Sequence, residues 1–203
     1  MSRFEGGEID GNSRQWARFI YSSTKKYIPE MKPNMIYRLD RFGRGGHHRP
    51  FNDLGFAGVR IMESNENYNR QHQDIRIENG IKYGDVIEGV DFNYVKNLTS
   101  VNIINLVLIG SSPPPPKNLS IGGIVEPSVK FKWDKNNDDN IKGYKIYWRE
   151  TSSPHWQFSK YIGNVNNYTL DDVIIDNYLF SVTSVSVDGY ESIFEFPSET
   201  FRN

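Results

Sequence analysis

The chain has no cysteine, which excludes a disulfide framework, thiolate metal sites and a cysteine nucleophile. Its charge is almost balanced, 24 basic against 25 acidic residues, so it lacks the basic surplus that nucleic acid or an anionic membrane would require. No nucleic-acid partner is expected. Long hydrophobic runs are missing too. The longest, Ile103 to Ile109, is interrupted by Asn105 and is far too short to span a bilayer, so no membrane span is expected. The leading residues Met1 to Glu8 contain no apolar core of a signal peptide, and no export signal is expected in them. Histidine is scarce, with four in 203 residues. Without thiolates, a catalytic zinc would need imidazoles and carboxylates, three or four of them converging on one point. His72, within Glu66-Asn-Tyr-Asn-Arg-Gln-His-Gln-Asp74, looks like one such ligand standing apart from its companions.

What is present suits two small domains. Hydrophobic residues make up 37% and aromatics 14% of the chain, enough for real cores at this length. Ser111-Ser-Pro-Pro-Pro-Pro116 divides it. Four consecutive prolines fix φ and offer no backbone donors, which makes a short, stiff spacer. The expected organisation is residues 1–110, a linker over 111–117, and a second domain over 118–203.

After the linker the pattern is β throughout. Val129-Lys-Phe-Lys-Trp133, Tyr144-Lys-Ile-Tyr-Trp148 and Tyr178-Leu-Phe-Ser-Val182 alternate, with turn clusters at 136–140 and Asp188-Gly189 between them. About seven short strands in this length fit an antiparallel sandwich. With Pro116 near the start, Trp133, Tyr144, Trp148, Tyr178, Phe180 and Val182, residues 115–200 resemble a fibronectin type III domain. The resemblance places Tyr178 at the tyrosine corner, ring buried and hydroxyl bonded to backbone.

The first half reads as mixed α/β. Ser13 is expected to cap a helix to Tyr27, with Trp16, Phe19, Ile20 and Tyr27 at helical spacing before Pro29 stops it. Residues 34–39 and 56–62 read as strands, and Glu78 to Asp85 as turns. Asp91 caps a strong helix to about Ile109, with Tyr94, Leu98, Val101, Ile104 and Leu108 along one face. Its last turn is apolar nearly all round, which calls for cover on more than one side. This order of elements suggests the edge of a larger α/β sheet.

Few motifs carry chemistry. Asp40 to Phe51 packs glycines, arginines, His47 and His48 together, but has neither P-loop nor dinucleotide glycine spacing. No His-Glu-x-x-His or Gly-x-Ser-x-Gly occurs. Adjacent His47 and His48 point to opposite sides of an extended segment and do not share a metal.

Residues 5–110 carry an ordered series of features. Ile9-Asp-Gly-Asn-Ser-Arg-Gln-Trp16 leads into a helix. Gly45, Gly46, His48, Pro50 and Phe51 precede Gly55-Phe56 and a segment ending at Glu63, followed by Glu66-Asn-Tyr68, His72-Gln-Asp74 and the closing helix. In this order they resemble the C-terminal part of a zinc-dependent exopeptidase of the bizinc aminopeptidase family. The resemblance implies two zinc ions, about 3.5–4 Å apart, acting through an activated water on a peptide substrate. It implies that His72 is the last of five ligands, and that the other four and the general base come from an upstream half of the catalytic domain. It further implies that His47, His48, Tyr68 and Gln71 fall beside the substrate. Two departures stand out: His47 occupies a position where the family has aspartate, and Gln71 one where some relatives have tyrosine. Relatives with an appended fibronectin-like domain are secreted, so a secreted or periplasmic location is implied.

The resulting expectation is a C-terminal exopeptidase fragment, inactive alone. A split peptidase and a non-catalytic binding module stand as alternatives, the latter with Tyr147, Trp148, Trp156 and Tyr161 as an exposed aromatic face.

Overall fold

The computed structural model describes residues 11–37 and 45–201. The lead-in at Ile9-Asp10, the end of the expected 34–39 strand and the Asp40 to Arg44 part of the glycine-rich stretch lie outside the described residues. Helices with a small sheet are followed by an all-β sandwich, the two-part architecture read from the sequence.

Helix α1 (Asn12–Tyr27) ends at Ile28, whose N–H bonds back to the Thr24 carbonyl just before Pro29, with Lys25 and Lys26 complementing the helix dipole. Its N-cap is Gly11, not Ser13. Ser13 lies inside the first turn, buried, with its hydroxyl engaged by another segment. The buried stripe is also not the apolar one. Ser13, Arg14, Gln15, Arg18, Ser23 and Thr24 are buried, whereas Trp16, Phe19 and Ile20 are half-covered and Tyr27 is exposed.

A short helix α2 (Arg49–Asp53) begins with Pro50 in its first turn, a position where a missing N–H is harmless. The expected strands at 34–39 and 56–62 are not formed. Their described residues run without a ladder partner among the described residues. A hairpin forms instead where only turns were expected, β1 (Arg76–Glu78) against β2 (Ile81–Tyr83). Asn79 and Gly80 both take positive φ, 49° and 77°, the geometry that a two-residue type I′ connection demands.

Helix α3 (Phe92–Ser111) has the expected cap: the Asp91 carboxylate accepts from the N–H groups of Asn93 and Tyr94 at 2.9 and 3.0 Å. Val101 and Asn105 are buried, and Ser23 Oγ donates to Asn105 Oδ1 at 2.6 Å, tying α1 to α3. Among the described residues, cover on more than one side is not found. Phe92, Val95, Ile103, Leu106 and Val107 are all exposed on α3.

The sandwich comprises β3 (Lys117–Gly122), β4 (Ser128–Asp134), β5 (Ile141–Glu150), β6 (Phe158–Gly163), β7 (Asn167–Asp171), β8 (Tyr178–Ser186) and β9 (Glu199–Thr200). One sheet runs β7-β4-β3-β9, with β9 parallel to β3, and the other β6-β5-β8. Alternation aims Val129, Phe131 and Trp133 inward, where they meet Leu119, Tyr144, Ile146, Phe180 and Val182. Phe131 meets Phe180 edge-on at 5.5 Å and Trp133 lies 5.2 Å from Tyr144. Tyr178 is only half-buried, its ring edge-on to Phe158. The fully buried tyrosine is Tyr144, whose hydroxyl accepts from the Asn136 N–H at 3.1 Å. The proline segment is held against the sandwich, since Asn136 Nδ2 donates to the carbonyls of Pro114 and Pro115 at 2.7 and 3.0 Å.

Candidate functional site

The N-terminal half contains a groove of about 320 Å³ between α1, α3 and the extended segments around residues 31–36 and 58–68. Its floor is fixed by Asn52 of α2. Asn52 Nδ2 reaches Ser13 Oγ at 3.1 Å, the Phe56 carbonyl at 2.9 Å and the Gly58 carbonyl at 3.3 Å. Ser13 Oγ also accepts from the Gly58 N–H at 3.1 Å. A Cβ at Gly58 would lie 3.0 Å from Asn52 Nδ2 and 3.2 Å from the His48 carbonyl, so the close approach requires glycine or a local shift. This clasp holds the 56–63 segment in place of a sheet ladder. Asn52 was not singled out from the sequence. Its only local signal is a position just inside a proline-initiated turn.

His48 precedes α2 and lines the groove. Its imidazole lies over Gly46, where a Cβ would come within 2.7 Å of Nδ1. That nitrogen is buried and meets no hydrogen-bond acceptor or donor among the described residues. Tyr68 also lines the groove, though its side chain is mostly exposed. Gln71 is engaged elsewhere: its Nε2 donates to Glu66 Oε1 at 3.1 Å, and Arg60 lies 3.6 Å from the same oxygen. His47 and His72 are exposed and do not line the groove. Of the five residues singled out, the structure brings His48 and Tyr68 together and leaves the other three outside.

His72 occupies the turn that follows Tyr68, with φ at 54°. The left-handed region is uncommon for a residue with a Cβ and is sustained by its surroundings. Here the surroundings are the Asn67 carbonyl, which accepts from the N–H groups of Arg70 and Gln71, and the Asn69 carbonyl, which accepts from Gly84 at the end of the hairpin. Among the described residues, no group of three or more histidine, aspartate or glutamate side chains is placed to hold a metal ion. His72 therefore does not constitute a zinc site with the side chains described, since a lone imidazole gives no chelate advantage.

The aromatic face expected on the sandwich is not an open platform. Trp148 stacks on Phe158 at 5.5 Å. Trp156 is half-buried and lies 5.4 Å from Phe194, with the guanidinium groups of Arg18 and Arg149 over its ring at 5.9 and 5.4 Å. Tyr147 donates to Glu191 Oε2 at 2.5 Å, and burial, then the Glu191 charge, raises its pKa far above the usual phenol value. Lys145 completes that group at 3.1 Å from Glu191. It is a satisfied structural network. Only Tyr161 is well exposed.

Comparison with known proteins resolves both halves. Residues 114–201 match the fibronectin type III domain model. Similar folds include an Fn3-like protein from Clostridium thermocellum (23% identity, 41% of this chain and 86% of that one, TM-score 0.31). A titin module from human cardiac muscle is similar too (24% identity, 41% and 86%, TM-score 0.34). Across nearly its whole length the chain is similar to probable zinc metalloproteases of fungi. It is 38% identical over 203 residues to one from Pyrenophora tritici-repentis, covering 98% of this chain and 47% of that protein. It is 35% identical over 193 residues to one from Pyricularia oryzae, covering 92% and 38%. The chain is homologous to the C-terminal part of such metalloproteases. It spans less than half the length of the curated relatives it matches. Similarity to the metalloproteases thus extends over both the helical half and the fibronectin type III domain.

Proposed function

We propose that this chain is the C-terminal part of a zinc-dependent exopeptidase of the aminopeptidase type, with residues 1–110 completing a catalytic domain, 111–117 the linker and 118–203 the fibronectin type III module. The observation that carries this reading is the 38% identity across 98% of the chain to a probable zinc metalloprotease about twice as long. Two features of the structure support it. The apolar outer face of α3, with Ile103, Leu106 and Val107 about half-exposed or more, is what a helix presents when further protein packs on it. The 56–63 segment is extended but unladdered, as a strand is when its neighbours lie in another part of the polypeptide.

In this reading His72 is one zinc ligand, its strained turn aiming the imidazole where the remaining ligands converge. Those ligands and the general base belong to the metalloprotease outside these residues. His48 and Tyr68 line the wall of the groove that receives the peptide substrate. The side chains described here do not make a zinc site by themselves, so no catalytic step is assigned to them. When bound in the whole enzyme, zinc would supply Lewis-acid activation of water. The test is hydrolysis of aminoacyl-nitroanilides. The chain alone is expected to show none, and the chain combined with the N-terminal part of a full-length relative is expected to show chelator-sensitive turnover. Turnover by the chain alone, or none by the combination when it assembles, would overturn the reading.

A further inference from the structure

The fibronectin type III module is seated on α1 by a compact set of contacts. Among the described residues these contacts centre on the 151–157 loop between β5 and β6. The Pro154 carbonyl accepts from Arg18 Nε and from the Tyr37 hydroxyl, each at 2.9 Å. His155 stacks on Tyr21 with ring centroids 3.8 Å apart and planes 7° from parallel. Trp156 lies between two arginines, one from each half of the chain. Arg18 is 1% exposed and Arg149 fully buried, and the Arg149 guanidinium also donates to the Ser153 carbonyl.

These contacts are unlike a flexible tether. A side chain from α1 supplies a charge-assisted hydrogen bond to a loop carbonyl and a cation–π contact to the indole of the same loop. The proline segment is itself pinned to the sandwich through Asn136 and through Ser184, whose hydroxyl donates to the Pro114 carbonyl. Both the covalent connection and the non-covalent one are therefore fixed.

We propose that the Tyr21–His155 stack is an acid-sensitive clasp, holding the fibronectin type III module against α1 at neutral pH and releasing it when His155 gains a proton. The charged and titratable groups that face His155 among the described residues are cationic or neutral: Arg18, Lys25 and Tyr21 from α1, and Arg149 from β5. Tyr37 meets the same loop at Pro154. His155 Nδ1 is buried without a hydrogen-bond partner among the described residues, so none of them rewards a second proton at that nitrogen. Burial first, then the charges of Lys25, Arg18 and Arg149, lowers its pKa from the ordinary 6.5. Neutral imidazole accordingly favours the docked state. The stabilisation of docking by neutral His155 is therefore full above the ordinary imidazole value and weakens as pH falls below it. The inference does not depend on peptidase activity.

Hydrogen exchange of the full chain at about pH 7.5 and about pH 5, corrected for intrinsic rates, tests it. In the wild-type chain, exchange in α1 around residues 18–25 and in residues 151–157 should rise severalfold on acidification, while the β4 and β8 core stays protected. His155→Phe, which keeps a ring to stack but no proton to gain, should retain protection at both pH values. Unchanged wild-type protection, or equal loss in His155→Phe, would overturn the clasp. If that variant is misfolded at pH 7.5, Lys25→Gln provides the second arm: removing that charge brings the docked His155 pKa back towards its ordinary value, so the loss of protection on acidification should shrink, and an unchanged loss counts against the proposal.

Discussion

In the sandwich, the side chains driven to 2% exposure or less include Trp133, Phe131, Phe180 and Ile146. In the helical half, the side chains at 3% or less are Arg18, Gln15, Asn105 and Val101, three of the four polar, while Leu106 and Leu54 stand 67% and 76% exposed. A hydrophobic core is the dominant favourable term in a domain that folds on its own. The fibronectin type III domain has one, and the described part of the other half has a polar seam with its apolar surface turned outward. The described residues thus contain one half with an apolar core and one whose apolar side chains face outward, and the proposal accounts for the second by further protein packing on it.

Mutations separate the two. Trp133→Ala should destabilise the sandwich by about 3–5 kcal/mol, the range for emptying an aromatic core site, and urea denaturation followed by circular dichroism would measure it. Leu106→Ala on α3 should change stability by less than about 0.5 kcal/mol in the isolated chain, and a loss comparable to Trp133→Ala would show that the outer face of α3 is already covered. Asn52→Ala should cost about 1–3 kcal/mol locally, because the Gly58 and Phe56 carbonyls lose their donor. Faster hydrogen exchange over residues 52–60 with an unchanged sandwich would register it. Smaller still is the effect of Ile103→Asp with Leu106→Asp, which should leave the melting temperature of the isolated chain nearly unchanged but block assembly with the upstream part of a relative.

The two halves also differed in how far their structures could be read from sequence. Alternation over Val129–Trp133 and 144–148 reports a core contained within the same ninety residues, so local pattern and fold agree. The Asp91 cap is likewise a local device. The segment at 56–62 has strand composition but no partner strand in the described residues, so propensity has nothing to pair with, and Asn52 holds it by side-chain hydrogen bonds instead. Ser13 has capping chemistry but spends its hydroxyl on Asn52 and Gly58, and Gly11 takes the cap position. Arg18, buried through contacts with a loop more than 130 residues away, has no local signature at all. His72 is legible only through the order of its neighbours, and the structure adds its left-handed backbone but, among the described residues, no companion ligands.

We propose that His72 becomes a metal ligand only together with an upstream part like that of the longer metalloprotease relatives. Zinc content of the purified chain and of its assembly with the upstream part of a relative, measured by inductively coupled plasma mass spectrometry, tests this directly. The prediction is no stoichiometric zinc in the chain alone, stoichiometric zinc in the assembly, and a reduced zinc content in the assembly bearing His72→Ala. Stoichiometric zinc in the chain alone, or an assembly whose zinc is indifferent to His72→Ala, would contradict it.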